Sequence, residues 1–351
     1  MVAAVGGGVS ARRKWLVSCT VAGRVRASTD RVGCDIRSSS FVDDERMTRT
    51  VALHVHRFGG LARTSDLVAR GCTPYAIARA VKQGEVFRLQ RGWVATPNAL
   101  REAVVAVNQG GKLTGPTALW SMGIWDGTDR DLHVQLPVGH HQELRTSRTH
   151  LDVFTPSGYP REELRLHWHR ERHPDPYSPP WRVSVIDALL QSSRILTGEH
   201  FVACVDSALN TRHLSESGLP ILRDLLPRRQ RALLELVDGA AESGLESLAR
   251  QRLTPLVRDI RSQVPIAGIG IGGRDGRVDL LIDGWLVIEL DGAAYHDLRA
   301  NTLRDGVLNR SGRRALHFLY DQVMFGWPQV EETVFELLRY PPKAPRVLLT
   351  R

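Results

Sequence analysis

Arg277-Val278-Asp279-Leu280-Leu281-Ile282-Asp283-Gly284-Trp285-Leu286-Val287-Ile288-Glu289-Leu290-Asp291-Gly292 reads as two short strands rich in Val, Ile and Leu, joined by a turn at Asp283-Gly284. Asp279, Glu289 and Asp291 lie inside this apolar hairpin. Burying an ionised carboxylate alone is costly, so such groups are paired or hold a metal. Side chains alternate faces along a strand, which makes the register decisive. A two-residue loop pairs Ile282 with Trp285 and sends Asp279 and Glu289 to opposite faces. A three-residue loop, with Gly284 supplying a positive φ, gathers Asp279, Leu281, Glu289 and Asp291 on one face. Val278, Leu280, Ile282, Leu286, Ile288 and Leu290 then fill the other, which is uniformly apolar. The pattern favours the three-residue loop. Asp279 and Glu289 become neighbours, two hard oxygen ligands for one Mg²⁺-type ion.

Elements on both sides of the hairpin extend this reading. Upstream, Ser243 and Glu246 open a helix with a stripe of Leu245, Leu248, Ala249, Leu253, Leu256, Val257 and Ile260, kinked at Pro255. Ser243-x-x-Glu246 has the form of a capping box, so Glu246 either bonds back to its own helix start or turns toward the ion. Ile266 to Ile271 is expected as a Gly-rich first strand. Downstream come a helix from about Leu298 to Arg310, a strand Ala315–Leu319 and a last helix from Pro328 to about Leu338. The order is helix, three strands, helix, strand: a mixed sheet flanked by helices.

Ser243-Gly244-Leu245-Glu246-Ser247-Leu248, Arg277-Val278-Asp279, Glu289-Leu290-Asp291-Gly292 with Tyr295-His296, and Arg304-Asp305 with Gly312 together resemble the PD-(D/E)XK nuclease superfamily. The closer likeness is to its Vsr-like branch, domain-of-unknown-function family five-five-nine. It covers about the last third of the chain and implies a restriction-endonuclease-like domain. It further implies that Asp279, Glu289 and Asp291 hold Mg²⁺ or Mn²⁺, and that these three with His296 and Glu246 form the catalytic set. Asp291 stands where the wider superfamily has its lysine, which leaves open which group activates the water. His296 is either the proton acceptor or a hydrogen-bonded histidine at a strand end. Arg304 either neutralises phosphate charge on bound DNA or pairs with Asp305 or Asp297.

Charge marks out the other end of the chain. Residues 47–96 carry eight Arg and Lys against two Asp and Glu, a balance of +6. Residues 1–46 carry eight against five, or +3, so residues 97–351 balance to zero within the total of +9. A compact basic excess suits a phosphate-contacting module. The pattern there is helix, helix, helix, hairpin. Val51, Leu53, His54 and Phe58 mark a first helix ended by Gly59-Gly60, and Thr64 caps a second that stops at Gly71. Thr73-Pro74 opens a third, as N-cap and first-turn proline, with Ile77, Ala80 and Val81 inward. Val86–Leu89 and Gly92–Ala95 form a wing. This winged helix-turn-helix resembles the N-terminal domain of AbiEi-type antitoxins, including the Arg91-Gly92-Trp93-Val94 step. Arg79, Lys82, Arg88 and Arg91 are the expected DNA-binding residues.

The rest is less patterned. Residues 1–46 read as a disordered or mis-called extension, with Met47 the expected first residue and a basic DNA-holding arm the alternative. Residues 97–240 read as an α/β middle segment that becomes helical, with strands at Leu132–Leu136 and Leu164–His169 and a proline-marked linker at Pro174–Pro180. Seven of its histidines (His133, His140, His141, His150, His167, His169, His173) have no accompanying cysteine and no His-x₃-His helix pattern, so no zinc site is expected. Asp187 and Asp206 are expected to cap or pair. The scattered cysteines, Cys19, Cys34, Cys72 and Cys204, argue for a reducing cytoplasm. No apolar run is long enough for a bilayer.

The sequence therefore predicts a multidomain α/β and α+β protein, divided at residues 47–96, 97–240 and 241–351. Two functions compete: a Mg²⁺-dependent DNA endonuclease, or an AbiEi-like antitoxin and autoregulator with a silent nuclease fold. DNA is the partner in both, a cognate toxin or other protein in the second, and no organic cofactor or membrane in either. A retained set of buried carboxylates favours the enzyme.

Overall fold

The computed structural model describes residues 50–139, 163–270, 274–291 and 298–341. Residues 1–49, the histidines His140, His141 and His150, and the segment holding Gly292, Tyr295, His296 and Asp297 lie outside the described residues.

The N-terminal module begins with α1, residues 50–57, then β1 (Leu61–Arg63), α2 (Thr64–Ala69), α3 (Pro74–Lys82), β2 (Phe87–Arg88) and β3 (Trp93–Ala95). The Thr73 hydroxyl accepts the Ala76 N–H at 3.1 Å, so α3 starts where its Thr-Pro step predicts. Thr64 does not cap α2; Arg63 occupies that position and the Thr64 hydroxyl donates to Gly92 O instead. β3 is the central strand of a three-stranded antiparallel sheet, β1-β3-β2. Ala62 and Val94 face Val51, Val55, Leu67, Ile77 and Ala80. Leu61, Trp93 and Ala95 face the other way, into a core shared with the middle segment.

That segment holds α4 (Arg101–Asn108), β4 (Lys112–Leu113), α5 (Gly115–Trp120), β5 (Leu132–Leu136), β6 (Leu164–Trp168), α6 (Val185–Ile195), α7 (Gly198–Asn210), α8 (Gly218–Leu225) and α9 (Arg228–Arg231). β5 is flanked by β4, antiparallel, and β6, parallel. Ala103, Val104 and Val107 of α4 close onto the wing sheet, and Trp181 Nε1 donates to Phe58 O at 2.7 Å. His133 and His167 form a polar chain. His133 bonds Asp129 at 2.8 Å and His167 at 2.9 Å, and Gln191 bonds the far nitrogen of His167. Asp187 accepts the N–H groups of Arg172 and His173, a structural role of the kind its apolar helix predicts.

The C-terminal part runs α10 (Gly244–Leu253), β7 (Ile260–Ile266), β8 (Gly276–Ile282), β9 (Leu286–Asp291), α11 (Leu298–Arg310), β10 (Arg314–Leu319), α12 (Tyr320–Phe325) and α13 (Trp327–Leu338). The sheet order is β10-β9-β8-β7, with β10 parallel to β9 and the other pairs antiparallel. The expected kink at Pro255 is a stop: α10 ends and a 3₁₀ turn, Thr254–Leu256, follows. The first strand therefore comes earlier than its apolar pattern suggests, at Ile260–Ile266. Leu245, Ala249 and Leu253 of α10 pack on Leu280, Ile282, Leu286 and Ile288, while Ser247 and Arg250 bond Asp206 of α7. Burial pushes the Asp206 carboxyl up to about 6 against hydrogen bonds from Ser247 and Asp238 N–H and the charge of Arg250. Among the described residues no helix is long and apolar enough to cross a membrane.

Candidate functional site

The β8–β9 register pairs Leu280 with Ile288, Leu281 with Val287 and Ile282 with Leu286, leaving Asp283, Gly284 and Trp285 as a three-residue loop. Asp283 and Gly284 have φ of 48° and 76°, the left-handed backbone that such a loop requires. Continuing the register sets Asp279 opposite Glu289, as the face pattern predicts. Val278 departs from that pattern. It joins Leu281, Val287 and Leu308 rather than the uniformly apolar face, where the β7–β8 ladder breaks at Gln263.

Each acid has a distinct set of partners. Asp279 is half-buried; its Oδ2 accepts Leu290 N–H at 2.7 Å, and its Oδ1 lies 3.4 Å from Gln263 Nε2. Glu289 is buried, and its Oε1 accepts from Arg304 Nη2 at 2.8 Å. Burial first, then the charge of Asp279, raises the Glu289 carboxyl to about 7 despite Arg304 and His317. Burial likewise raises Asp279 and Glu246. Glu246 bonds back just ahead of its helix start and also reaches Gln263 of β7. The Ser243 hydroxyl accepts Glu246 N–H at the start of α10, and Glu246 Oε2 accepts Glu242 N–H and Gln263 Nε2, each at 2.9 Å.

Asp291 turns to His317, whose ring nitrogens face Asp291 Oδ2 at 3.3 Å and Asp305 Oδ1 at 3.1 Å. Only a doubly protonated ring can donate to both. Burial opposes that charge, but the Asp305 and Asp291 hydrogen bonds and charges outweigh it and raise the His317 pKa. Arg304, an expected phosphate contact, sits on Glu289 and Arg277 O rather than on Asp305. His296 lies outside the described residues. Among the described residues no three His, Cys, Asp or Glu side chains are placed to hold one metal ion together. Asp279 and Glu289 are thus brought side by side, Glu246 joins them through Gln263, and Asp291 is held apart by His317.

Sequence reasoning missed Gln263 and His317. His317 had a signal: it is the one polar residue in Ala315-Leu316-His317-Phe318-Leu319. It pairs with Glu289 once β10 lies parallel to β9. Gln263 had none, since its strand was expected six residues later.

Asp279 and Glu289 offer two side-by-side carboxylates, the oxygen type a hard divalent cation takes. Glu246, Asp279, Glu289, Asp291 and Asp305 are met by two cations, Arg304 and His317.

The second candidate surface is the N-terminal module. Lys82, on α3, Arg88, on β2, and Arg91, at the wing tip, are exposed; Arg79 is half-buried beside the Tyr75 hydroxyl. Arg70 lies over the Phe58 ring and Arg63 over Trp93, so part of the basic excess is also packed against the scaffold. Three short helices and a wing, with cations on the outside, define a winged helix-turn-helix of the DNA-binding kind. Residues 51–96 match the family described as transcriptional regulator, AbiEi antitoxin. No curated protein matches the chain.

Proposed function

We propose that the protein is a DNA-binding regulator whose C-terminal unit is a PD-(D/E)XK-type, Mg²⁺- or Mn²⁺-dependent phosphodiesterase acting on DNA. The single observation that carries the catalytic half is the placement of the half-buried Asp279 beside the buried Glu289. The order α10, β7, β8, β9, α11, β10, with β10 parallel to β9, supports the same reading. In it, residues 47–96 engage DNA, residues 97–240 carry that module, and residues 241–351 cut.

Asp279 and Glu289 would hold the ion, with Glu246 and Asp291 adjusting the charge around it. Bound there, the ion would polarise a phosphate and lower the pKa of a water. Arg304 keeps Glu289 oriented and sits where it can meet phosphate charge. The test is a cleavage assay with Mg²⁺ or Mn²⁺ on duplex, single-stranded, nicked and mismatched DNA, comparing whole protein with Glu289→Ala. Metal-dependent cleavage lost in the variant supports the reading.

A second reading is favoured by the Arg304–Glu289 pair and the diversion of Asp291 to His317. Both neutralise acids with protein cations, as a site relieved of its ion would. The chain would then be an antitoxin-like autoregulator, with a cognate toxin or other protein as its partner. DNA binding without cleavage on every substrate supports it.

A further inference from the structure

Gln263 lies within β7 at φ 53°, a left-handed backbone that favours glycine and that other residues keep only where their surroundings demand it. The ladder pairs Ser262 with Leu280 and Val264 with Val278, but not Gln263 with Asp279 between them. Its side chain explains the cost. Nε2 points one hydrogen at Glu246 Oε2, 2.9 Å away on α10, and the other at Asp279 Oδ1, 3.4 Å away on β8. An amide nitrogen has two hydrogens, and here both meet carboxylates.

We infer that Gln263 is a positioning residue for a divalent cation, clipping Glu246 to Asp279 so that the acids of α10 and β8 face the ion as one unit. The inference rests on the proposal that Asp279 and Glu289 form an ion site. Two features separate positioning from a turn role. A residue needed only for the turn would be glycine, which adopts this φ without strain. Each acid also has its own backbone donor, Glu242 N–H for Glu246 and Leu290 N–H for Asp279, so Gln263 is not needed to satisfy either alone. What it adds is the link between them.

The experiment is Mn²⁺ binding by calorimetry, together with the metal-free Tm, on the full chain, Gln263→Gly and Asp279→Asn. Gln263→Gly should keep or raise the metal-free Tm, because the strain is released. It should weaken Mn²⁺ binding about tenfold or more, the usual effect of losing a group that orients a ligand. Asp279→Asn should abolish the same binding event. If wild type and Gln263→Gly bind Mn²⁺ equally, the clip is overturned and the ion site stands. A Tm loss that parallels weakened binding assigns Gln263 to folding and also overturns it. If wild type binds no Mn²⁺, or Asp279→Asn binds as well as wild type, the ion site itself falls and takes the inference with it.

Discussion

The wing sheet and the C-terminal sheet are each packed on two sides, yet they hold charge in opposite ways. In the wing, Ala62 and Val94 face one apolar layer and Leu61, Trp93 and Ala95 another, while Arg88 and Arg91 stay in water. In the C-terminal sheet, Leu280, Ile282 and Ile288 fill one layer. The other layer mixes Leu281 and Val287 with Asp279 and Glu289. Water solvates the first set of charges at little cost. Among the described residues the second set is met by Arg304, Leu290 N–H and Gln263, with His317 in the next strand. A cation on the wing can therefore change without touching the fold, whereas the acids cannot be separated from it.

The sharpest break of this comparison is at the acids. Asp279→Asn and Glu289→Gln should each lower Mg²⁺-dependent cleavage by roughly three orders of magnitude, the scale of losing a group that stabilises transition-state charge. DNA affinity should stay unchanged, because neither acid belongs to the winged helix. A variant that loses cleavage and DNA binding together would show that the two regions do not divide the work.

The reverse experiment is at the wing. Changing Arg79, Lys82, Arg88 and Arg91 together to Ala in the whole chain should flatten the dependence of log K on log salt by about 3 to 4 units, near 0.9 per phosphate contact. Arg79, half-buried against Tyr75, should contribute least. An unchanged slope would make this module a protein-contact domain. The whole chain is the proper subject, since Leu61, Trp93 and Ala95 are buried against the middle segment.

The third test asks whether that packing makes one cooperative unit. Trp181 is 3% exposed, and its indole both fills the shared core and donates to Phe58 O. Trp181→Ala should cost about 3–5 kcal/mol in urea unfolding. A loss under about 1 kcal/mol would mean the winged helix unfolds on its own.

The smallest effect concerns Asp206, which ties α7 to α10. Its carboxyl is raised from 3.8 to about 6. Between these values the folded state holds a proton that the unfolded chain has lost, so stability present below the lower value is lost as pH rises through the upper one. Asp206→Asn removes this slope. Wild-type stability minus variant stability should fall across that window by no more than about 3 kcal/mol, then stay flat. Urea titrations from pH 4 to 7 check it, and a difference that rises with pH would show that Arg250 holds the carboxyl down.

Some of this architecture could be read directly from local pattern. The three-residue loop follows from the alternation of Asp279, Leu281, Glu289 and Asp291 against an apolar face, because a slip of one residue would bury the wrong set. The starts of α3 and α10 follow from Thr73-Pro74 and Ser243, whose hydroxyls meet the backbone three residues on. Such signals work because the interacting groups are near in sequence. β1 and α12 escaped notice because Leu61–Arg63 and Tyr320–Phe325 are too short to show a period. β7 was misplaced because its polar residues Arg261, Ser262 and Gln263 hide a strand that an apolar pattern alone would put after it.

The sequence by itself determined which residues would be acidic neighbours across a hairpin and which end of the chain would carry exposed cations. Both are consequences of periods of a few residues and of local charge balance. Only the tertiary structure decided what those acids touch. Glu246 meets Asp279 through Gln263, and Asp291 is taken by His317. Glu289 is held by an arginine on α11, and the wing shares its core with α4. Each of these contacts joins different elements, at separations longer than the few residues over which a sequence pattern repeats.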